Sequence, residues 1–478
     1  MHLQTTLLAE DERRRIHAQA LRILEDVGVR YMSAKARAIL RKAGARVDEA
    51  AQVARIPEEL VTHALRTAPK SFVLGARNPA YDVPMPAPWT GYTLDGEATF
   101  ALDFRTGERR NGTTADLAAS LRVFEDLPLG TVVWPNVMLS DVPVHASNLH
   151  AVCGSLRHSS KHIQHELHAP AEIPLLLEAL TAVLGSEEAV RRRRIFSVCY
   201  CTIPPLTHDA EMCETYLELA TFGVPILAYP MPACGATGPA SLFSNVAVSV
   251  AEALSTVVLF QLAAPGVPVI FGSAAGVMNF ATGGFVEGAP ESGLASAGAG
   301  EMARFYGLPN TQAGCLSDAK APGPQAILEK FATTLPLVLG GADVINGIGE
   351  LETSQLLVLE QLVVDHEIAR VCRRLRAGVD ARAACDLFAD IVRAGPGGNF
   401  LLEDSTVAAC RSGEFLMSDL VNRDTFEQWS AAGRPDLYAN ARRQVERMLE
   451  TPAPHPLPDQ AAGHLAEIVR RAEEALRR

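Results

Sequence analysis

Four charged residues stand just beyond two short apolar runs. Asp318 and Lys320 follow residues 311–315, and Glu350 and Glu352 follow residues 343–348. A helix-like segment separates the runs, so residues 308–368 read as a β-α-β unit with polar groups after its strand ends. In parallel α/β folds those ends carry the chemistry. The plainer reading is a solvated loop carboxylate, a helix N-cap, or a local Asp318–Lys320 ion pair. Aromatic residues fall near other expected strand ends: Trp134, Tyr200, Tyr229, Phe271, Phe280 and Phe285. Each alone is better explained by core or loop packing. As a set near one barrel face they are candidates for a cavity wall, Tyr200 and Tyr229 foremost because they close their strands.

Two further clusters have metal-ligand chemistry. His162, His165 and His168 lie in KHIQHELH, and Cys199, Cys201, Cys234 and Cys315 fall near strand ends. Along a strand, however, His162 and His165 point to opposite faces. Cys199 and Cys201 share a face but have no paired CxxC downstream, so no metal centre is expected.

The elements that must position these residues follow a regular period. Strand-like runs recur at 131–139, 162–165, 195–201, 224–229, 267–271, 311–315 and 343–348, with a weaker one at 398–403. Helix-like segments lie between them, among them 171–183, 210–222, 242–264, 291–305 and 324–339. Eight strands alternating with helices predict an α/β fold, a (β/α)8 TIM barrel. A doubly wound open sheet is the alternative, but no GxGxxG opens a helix and no phosphate-binding P-loop appears. The expected organisation is an N-terminal helical layer over 1–70, a linker and β-hairpin over 71–112, the barrel over 113–420, and a C-terminal helical extension over 421–478. The hairpin is read from the Asp95-Gly96 pair between two alternating runs. Glycine-rich loops at 235–241 and 273–288 are long enough to approach a ligand with their backbone.

Composition narrows the partners. With 48% hydrophobic and 21% charged residues, the 478-residue chain is globular rather than disordered. A net charge of −12, with basic residues clustered only at Arg191–Arg194 and the C-terminal tail, argues against nucleic acid. No apolar run reads as a membrane span, acidic residues fall within the first dozen positions, and nine cysteines lack small-domain spacing. A cytoplasmic protein with reduced thiols is expected, and a homo-oligomer, since the terminal helices are plausible interface material.

Several stretches taken together carry a family resemblance. IHAQALRILEDVGV, IPEELVTHALRTAPKSFVLGARNP, ACGATGPASL, AEALSTVVLFQL, PGVPVIFGS, SDAKAPGPQA, GADVINGIGELE and EQLVVDHEIA, in this order over nearly the whole chain, resemble the trimethylamine methyltransferase family. The resemblance implies a TIM-barrel enzyme that moves a methyl group from a methylated amine to the corrinoid of a separate protein, with no tightly bound cofactor of its own. The name-giving members carry pyrrolysine; this chain has only standard residues, and Lys320 is a candidate for the corresponding position. Relatives without pyrrolysine that have an assigned function demethylate quaternary amines such as glycine betaine, so the resemblance points to a betaine-type substrate. A His-Thr pair expected near the last barrel segment is here Ser405-Thr406, which leaves substrate and acceptor open to difference.

A quaternary ammonium has no N–H and is held by aromatic faces and carboxylates. A betaine's carboxylate also needs Lys, Arg or backbone N–H donors. Methyl transfer to a strong nucleophile demands alignment and desolvation rather than a general base. On this reading Asp318, Lys320 and Glu350 are the expected catalytic residues, and Trp134, Tyr200, Tyr229, Phe271, Phe280 and Glu352 the substrate-binding ones. Direct methyl transfer to tetrahydrofolate and a non-catalytic betaine-binding barrel are the alternatives.

Overall fold

The computed structural model describes residues 5–476. Its centre is a closed barrel of eight parallel strands: β1 (Gly91–Leu94), β2 (Gly130–Val133), β3 (His162–His165), β4 (Phe196–Tyr200), β5 (Ile226–Ala228), β6 (Val269–Ser273), β7 (Asn310–Ala313) and β8 (Val344–Ile348). The strands pair in chain order, and β8 closes on β1 through Val344↔Gly91 and Ile345↔Tyr92. Eight helices follow the strands: α1 (Thr114–Glu125), α2 (Ser147–His158), α3 (Ile173–Leu184), α4 (Ala210–Thr221), α5 (Leu242–Ala263), α6 (Pro290–Phe305), α7 (Pro324–Gly340) and α8 (Leu359–Ala377). Their starts are written locally. Thr113 and Asp116 form a reciprocal cap on α1, and Asp209 accepts from the Met212 amide at the head of α4.

Two strand expectations are corrected. The first barrel strand is Gly91–Leu94, not one arm of a hairpin. Pro84, Pro86 and Pro88 precede it rather than interrupt it, and a Cβ at Gly91 would meet the Thr131 hydroxyl at 2.5 Å. The chain therefore enters the barrel inside the segment expected to be a linker. Phe100–Leu102 pairs instead with Arg109–Asn111 and Leu356–Leu357 in a small sheet beside the barrel's C-terminal rim. Conversely, residues 398–403 form turns with exposed Leu401 and Leu402, and Ser405 sits in the helix Asp404–Arg411, where it donates to Asp390. The runs near 311 and 343 are thus the seventh and eighth strands.

The N-terminal helices Glu10–Arg22, Ala34–Ala43 and Glu58–Thr67 pack on α5. By length and composition α5 could cross a membrane, which the sequence reading missed, but it is buried in the protein. Glu252 at its middle accepts from the Leu206 amide at 2.8 Å and from Thr202. The helix Leu437–Glu450 lies against α8, and Asp459–Ala475 against α2 and α3.

Candidate active site at the barrel rim

A cavity of about 700 Å³ opens at the C-terminal ends of the strands. Strand parity decides which side chains reach it. Tyr229, one residue past β5, and Ala274, one past β6, face inward. Gly272, two residues before Ala274, has no room for a side chain, because its Cβ would meet the Tyr229 ring at 2.7 Å. Cys201, just past β4, also lines the cavity. Its neighbour Tyr200 therefore faces outward, where its hydroxyl meets His208 Nδ1 at 2.8 Å and its ring packs on Tyr216 and Phe260. Phe271 likewise packs outward against Tyr306. Phe280 is 75% exposed in its loop, and Phe285 lines the cavity in its place. Of the six expected substrate-binding residues, Trp134, Tyr229 and Glu352 border the cavity and Tyr200, Phe271 and Phe280 do not.

Two rings form a corner of the wall. Trp134 and Tyr229 lie 5.9 Å apart at 64°. Each is held by its polar end: Trp134 Nε1 donates to Glu166 at 3.0 Å, and the Tyr229 hydroxyl donates to the Asn346 side-chain oxygen. Asn346 in turn donates to Asp95 at 2.8 Å. Around the rings stand Asp95, Glu97, Glu166, Glu287 and Glu352, against Lys320 and His168 as the cationic or basic groups.

The carboxylates are not equivalent. Ser354 Oγ lies 2.6 Å from Asp95 Oδ2 and 2.7 Å from Glu287 Oε2. A hydroxyl has one proton to give. For both contacts to be hydrogen bonds, one of the two acids must itself carry a proton. Burial first, and the charge of Asp95 second, push Glu287 up to about 8, which identifies it as the protonated member. Burial likewise raises Glu97, with His165 opposing.

The loop that supplies Ser354 is strained. Glu352, Thr353 and Ser354 have φ of 59°, 58° and 55°, three successive non-glycine residues in the left-handed region. Asp318 helps to hold it there. Its carboxylate accepts from Thr353 Oγ1 at 2.8 Å and from the Glu287 and Gly288 amides at 3.1 and 3.0 Å. Asp318 thus positions Ser354 and Glu287 and does not itself border the cavity. Lys320 is exposed at the rim. Glu352 is held by Arg109 at 2.9 and 3.2 Å. Glu350 is buried, and neither of its oxygens has a hydrogen-bond partner. Burial, then the charge of Asp95, raises it well above the ordinary carboxylate range, with Lys330 only partly opposing.

The two glycine-rich loops meet across the rim. Ala233–Cys234 pairs with Gly276–Met278, which pairs with Phe285–Val286 and so carries Phe285 and Glu287 to the cavity. Asp95, Glu97, Glu166 and Glu287 were not singled out from sequence. The available signal was position: the first three lie within three residues of the ends of β1 and β3.

Among the candidate metal ligands, His162 is used up by Gly75 O and Ser197 at 2.7 and 2.8 Å, and burial lowers it to about 4. Cys199 and Cys201 come together with Glu166, a group that includes neither Cys234 nor Cys315. A second cavity of about 570 Å³ opens at the opposite end of the barrel, beside Gly91, Gly130 and Trp89. Its acids are committed: Glu125 accepts from Ser159 and Ser160, and Asp82 pairs with Arg193. In barrels that face serves stability.

A closed parallel barrel with a polar, aromatic-walled cavity at the C-terminal rim has the architecture of a (β/α)8-barrel enzyme. The family model described as trimethylamine methyltransferase (MTTB) matches residues 2–476, and the chain belongs to that family of methyltransferases. It is 32% identical over 469 residues to the trimethylamine methyltransferase MttB of Desulfitobacterium hafniense, covering 98% of this chain and 94% of the relative. To the protein of the same name from Methanosarcina barkeri it is 30% identical over 483 residues, 99% and 97% of the two chains. A glycine betaine methyltransferase of D. hafniense strain Y51 is 27% identical over 431 residues, 89% of this chain and 88% of the relative. Among solved structures, MtmB in complex with hydroxylamine has a TM-score of 0.52 at 12% identity, over 92% of this chain and 88% of that one, a likeness of fold.

Proposed function

We propose that this enzyme removes a methyl group from a quaternary, betaine-type amine and passes it to a corrinoid carried by a separate protein. The observation that carries the reading is the cavity wall, where the Trp134–Tyr229 corner meets an excess of carboxylates. The rings are tied by their polar ends and border the cavity, where aromatic surface attracts a cation. The carboxylates add Coulomb attraction in a partly desolvated site. Lys320 at the rim is the group suited to a betaine's carboxylate. Holding the N-methyl carbon toward the open mouth, with water displaced by the rings, is what this chain contributes to the transfer. The corrinoid supplies the nucleophile when its carrier protein docks. The glycine betaine methyltransferase relative supports the substrate class.

Two further readings accompany this. All nine cysteines are free thiols, which supports a reducing, cytoplasmic setting. Exposed Phe388, Leu401, Leu402 and Met417 support self-association, checked by sedimentation.

The test is the visible spectrum of added Co(I) corrinoid with the enzyme and a panel of glycine betaine, other betaines and simpler methylated ammonium ions. Methyl–cobalt formation with one of them is expected. Turnover with tetrahydrofolate alone would replace the acceptor, and tight binding without turnover in either assay would make the protein a binder.

A further inference from the structure

We propose that Glu166, Cys199 and Cys201 form a zinc-class metal site with one coordination position open to the cavity. The strands build the site from neighbouring ends. β3 and β4 pair in parallel with His165 in register with Val198, which sets Glu166, one residue on, beside Cys199. Cys199 and Cys201 lie two apart on the same strand face. The ligand atoms of the three residues all fall within 4.8 Å of one another, and the two sulfurs are 3.8 Å apart. Two thiolates on a tetrahedral zinc, each about 2.3 Å from it, stand about 3.8 Å apart, so the sulfur pair already has that spacing.

The surroundings also resemble those of a ligand set. Metal-binding carboxylates are themselves held by hydrogen bonds. Glu166 accepts from Trp134 Nε1 at 3.0 Å, and His165 Nδ1 stands 3.4 Å from the same carboxylate. His165 is fully buried and stands between two carboxylates, with Nε2 3.7 Å from Glu97 and Nδ1 on the Glu166 side, so it helps to fix Glu166 from behind. Glu166 and Cys201 both line the cavity, which gives the fourth position access to small donors such as water, a thiol or a neutral amine. Three protein ligands with an open fourth is the pattern of reactive rather than structural zinc. Binding releases the two thiol protons to solvent. A divalent cation with two thiolates and a carboxylate carries one net negative charge, so the occupied site still attracts a cation.

The test uses the full-length protein, stripped with a chelator and titrated with Zn2+ against a chromophoric competitor, with Co2+ as a spectroscopic substitute. One metal per chain is expected, with thiolate-to-cobalt charge-transfer bands and the intense visible bands of a tetrahedral centre. Cys199→Ser and Cys201→Ser should each abolish those bands. Trp134→Phe, which loses the hydrogen bond to Glu166, should weaken binding by about 10- to 100-fold. The Cys385→Ser/Cys410→Ser variant removes the two exposed thiols and should keep full stoichiometry. Thermal unfolding without metal checks that each variant is folded. No stoichiometric zinc in the unsubstituted protein, or zinc retained by Cys199→Ser/Cys201→Ser, or zinc lost only with the exposed pair, would overturn the proposal. None of these readouts depends on methyl transfer, so the site and the proposed reaction stand or fall separately.

Discussion

Two groups of buried charges lie close together in this barrel, and they are built on opposite plans. Lys330 on α7 and Asp365 on α8 are both fully buried, 2.9 Å apart. Lys330 also donates to Cys315 O and Gly347 O, at 2.7 and 2.9 Å. Asp365 accepts further from the Gly349 amide and from Gln361, whose oxygen accepts from Tyr438. Burial alone would lower the Lys330 ammonium, but the Asp365 carboxylate, with Cys315 and Asp95 adding to it, raises its pKa on balance. Every polar atom of this pair has a partner. In the second group burial, and then the charge of Asp95, opposes ionisation of Glu287 and Glu350, and the oxygens of Glu350 have no hydrogen-bond partner. The first cluster is closed upon itself and fastens two helices to the ends of β7 and β8. The second is left short of positive charge, an arrangement that costs stability unless something cationic completes it.

Breaking the closed cluster should have the largest effect. Lys330→Met strands Asp365 as an unpaired buried charge and should destabilise the protein by about 3–5 kcal/mol, read as a lowered urea midpoint. Substitution in the open cluster should do the reverse. Glu287→Gln replaces a carboxyl that is neutral below about 8, so stability should hold at neutral pH and rise at pH 9, where affinity for a quaternary ammonium should fall by about tenfold, about 1.4 kcal/mol, in calorimetry.

The pH dependence sharpens the contrast. With Glu287 raised from 4.5 to about 8, the folded protein keeps a proton that the unfolded chain loses over that interval. Its contribution to stability is fully present below 4.5 and declines as pH rises toward 8. Cation affinity runs the other way, growing as pH passes through about 8 and the carboxylate ionises. Both trends should flatten in Glu287→Gln, measured by thermal unfolding and calorimetry across the pH series. A smaller loss is expected for Trp134→Leu, which removes one ring face: about 0.5–2 kcal/mol of cation binding, with little change for uncharged ligands. Least affected should be Arg109→Ala. The Arg109–Glu352 pair is partly exposed and worth about 0.2–1 kcal/mol, and its loss should show as a slight gain in cation affinity at low salt.

The barrel was legible because its strands and helices alternate along most of the chain. What misled was local. β1 is four residues long and follows closely spaced prolines, so it reads as linker, and residues 398–403 then supply an eighth strand that does not exist. The site was harder to read because parallel barrel strands are apolar on both faces, which hides their parity. Tyr229 and Tyr200 look alike in sequence, yet one borders the cavity and the other packs beneath the helices. Asp95 was read as a turn residue once β1 was missed, and Glu287 lay in a loop with no periodic pattern. Asp318 was visible by position, but its role follows from three hydrogen bonds that only the fold brings together.

The pairing of β1 with β8 also bears on how the chain is made. Gly91 meets Val344 only after about 250 further residues have been joined. At about 5–20 residues per second, synthesis leaves the edge of β1 without its partner for roughly 13–50 seconds. Throughout that interval the nascent sheet is open, with bare edges at β1 and at its newest strand, surfaces that invite pairing with other chains. Ring closure therefore waits for the last of the eight strands, and truncation before Val344 would leave the ring unclosed however complete its other strands.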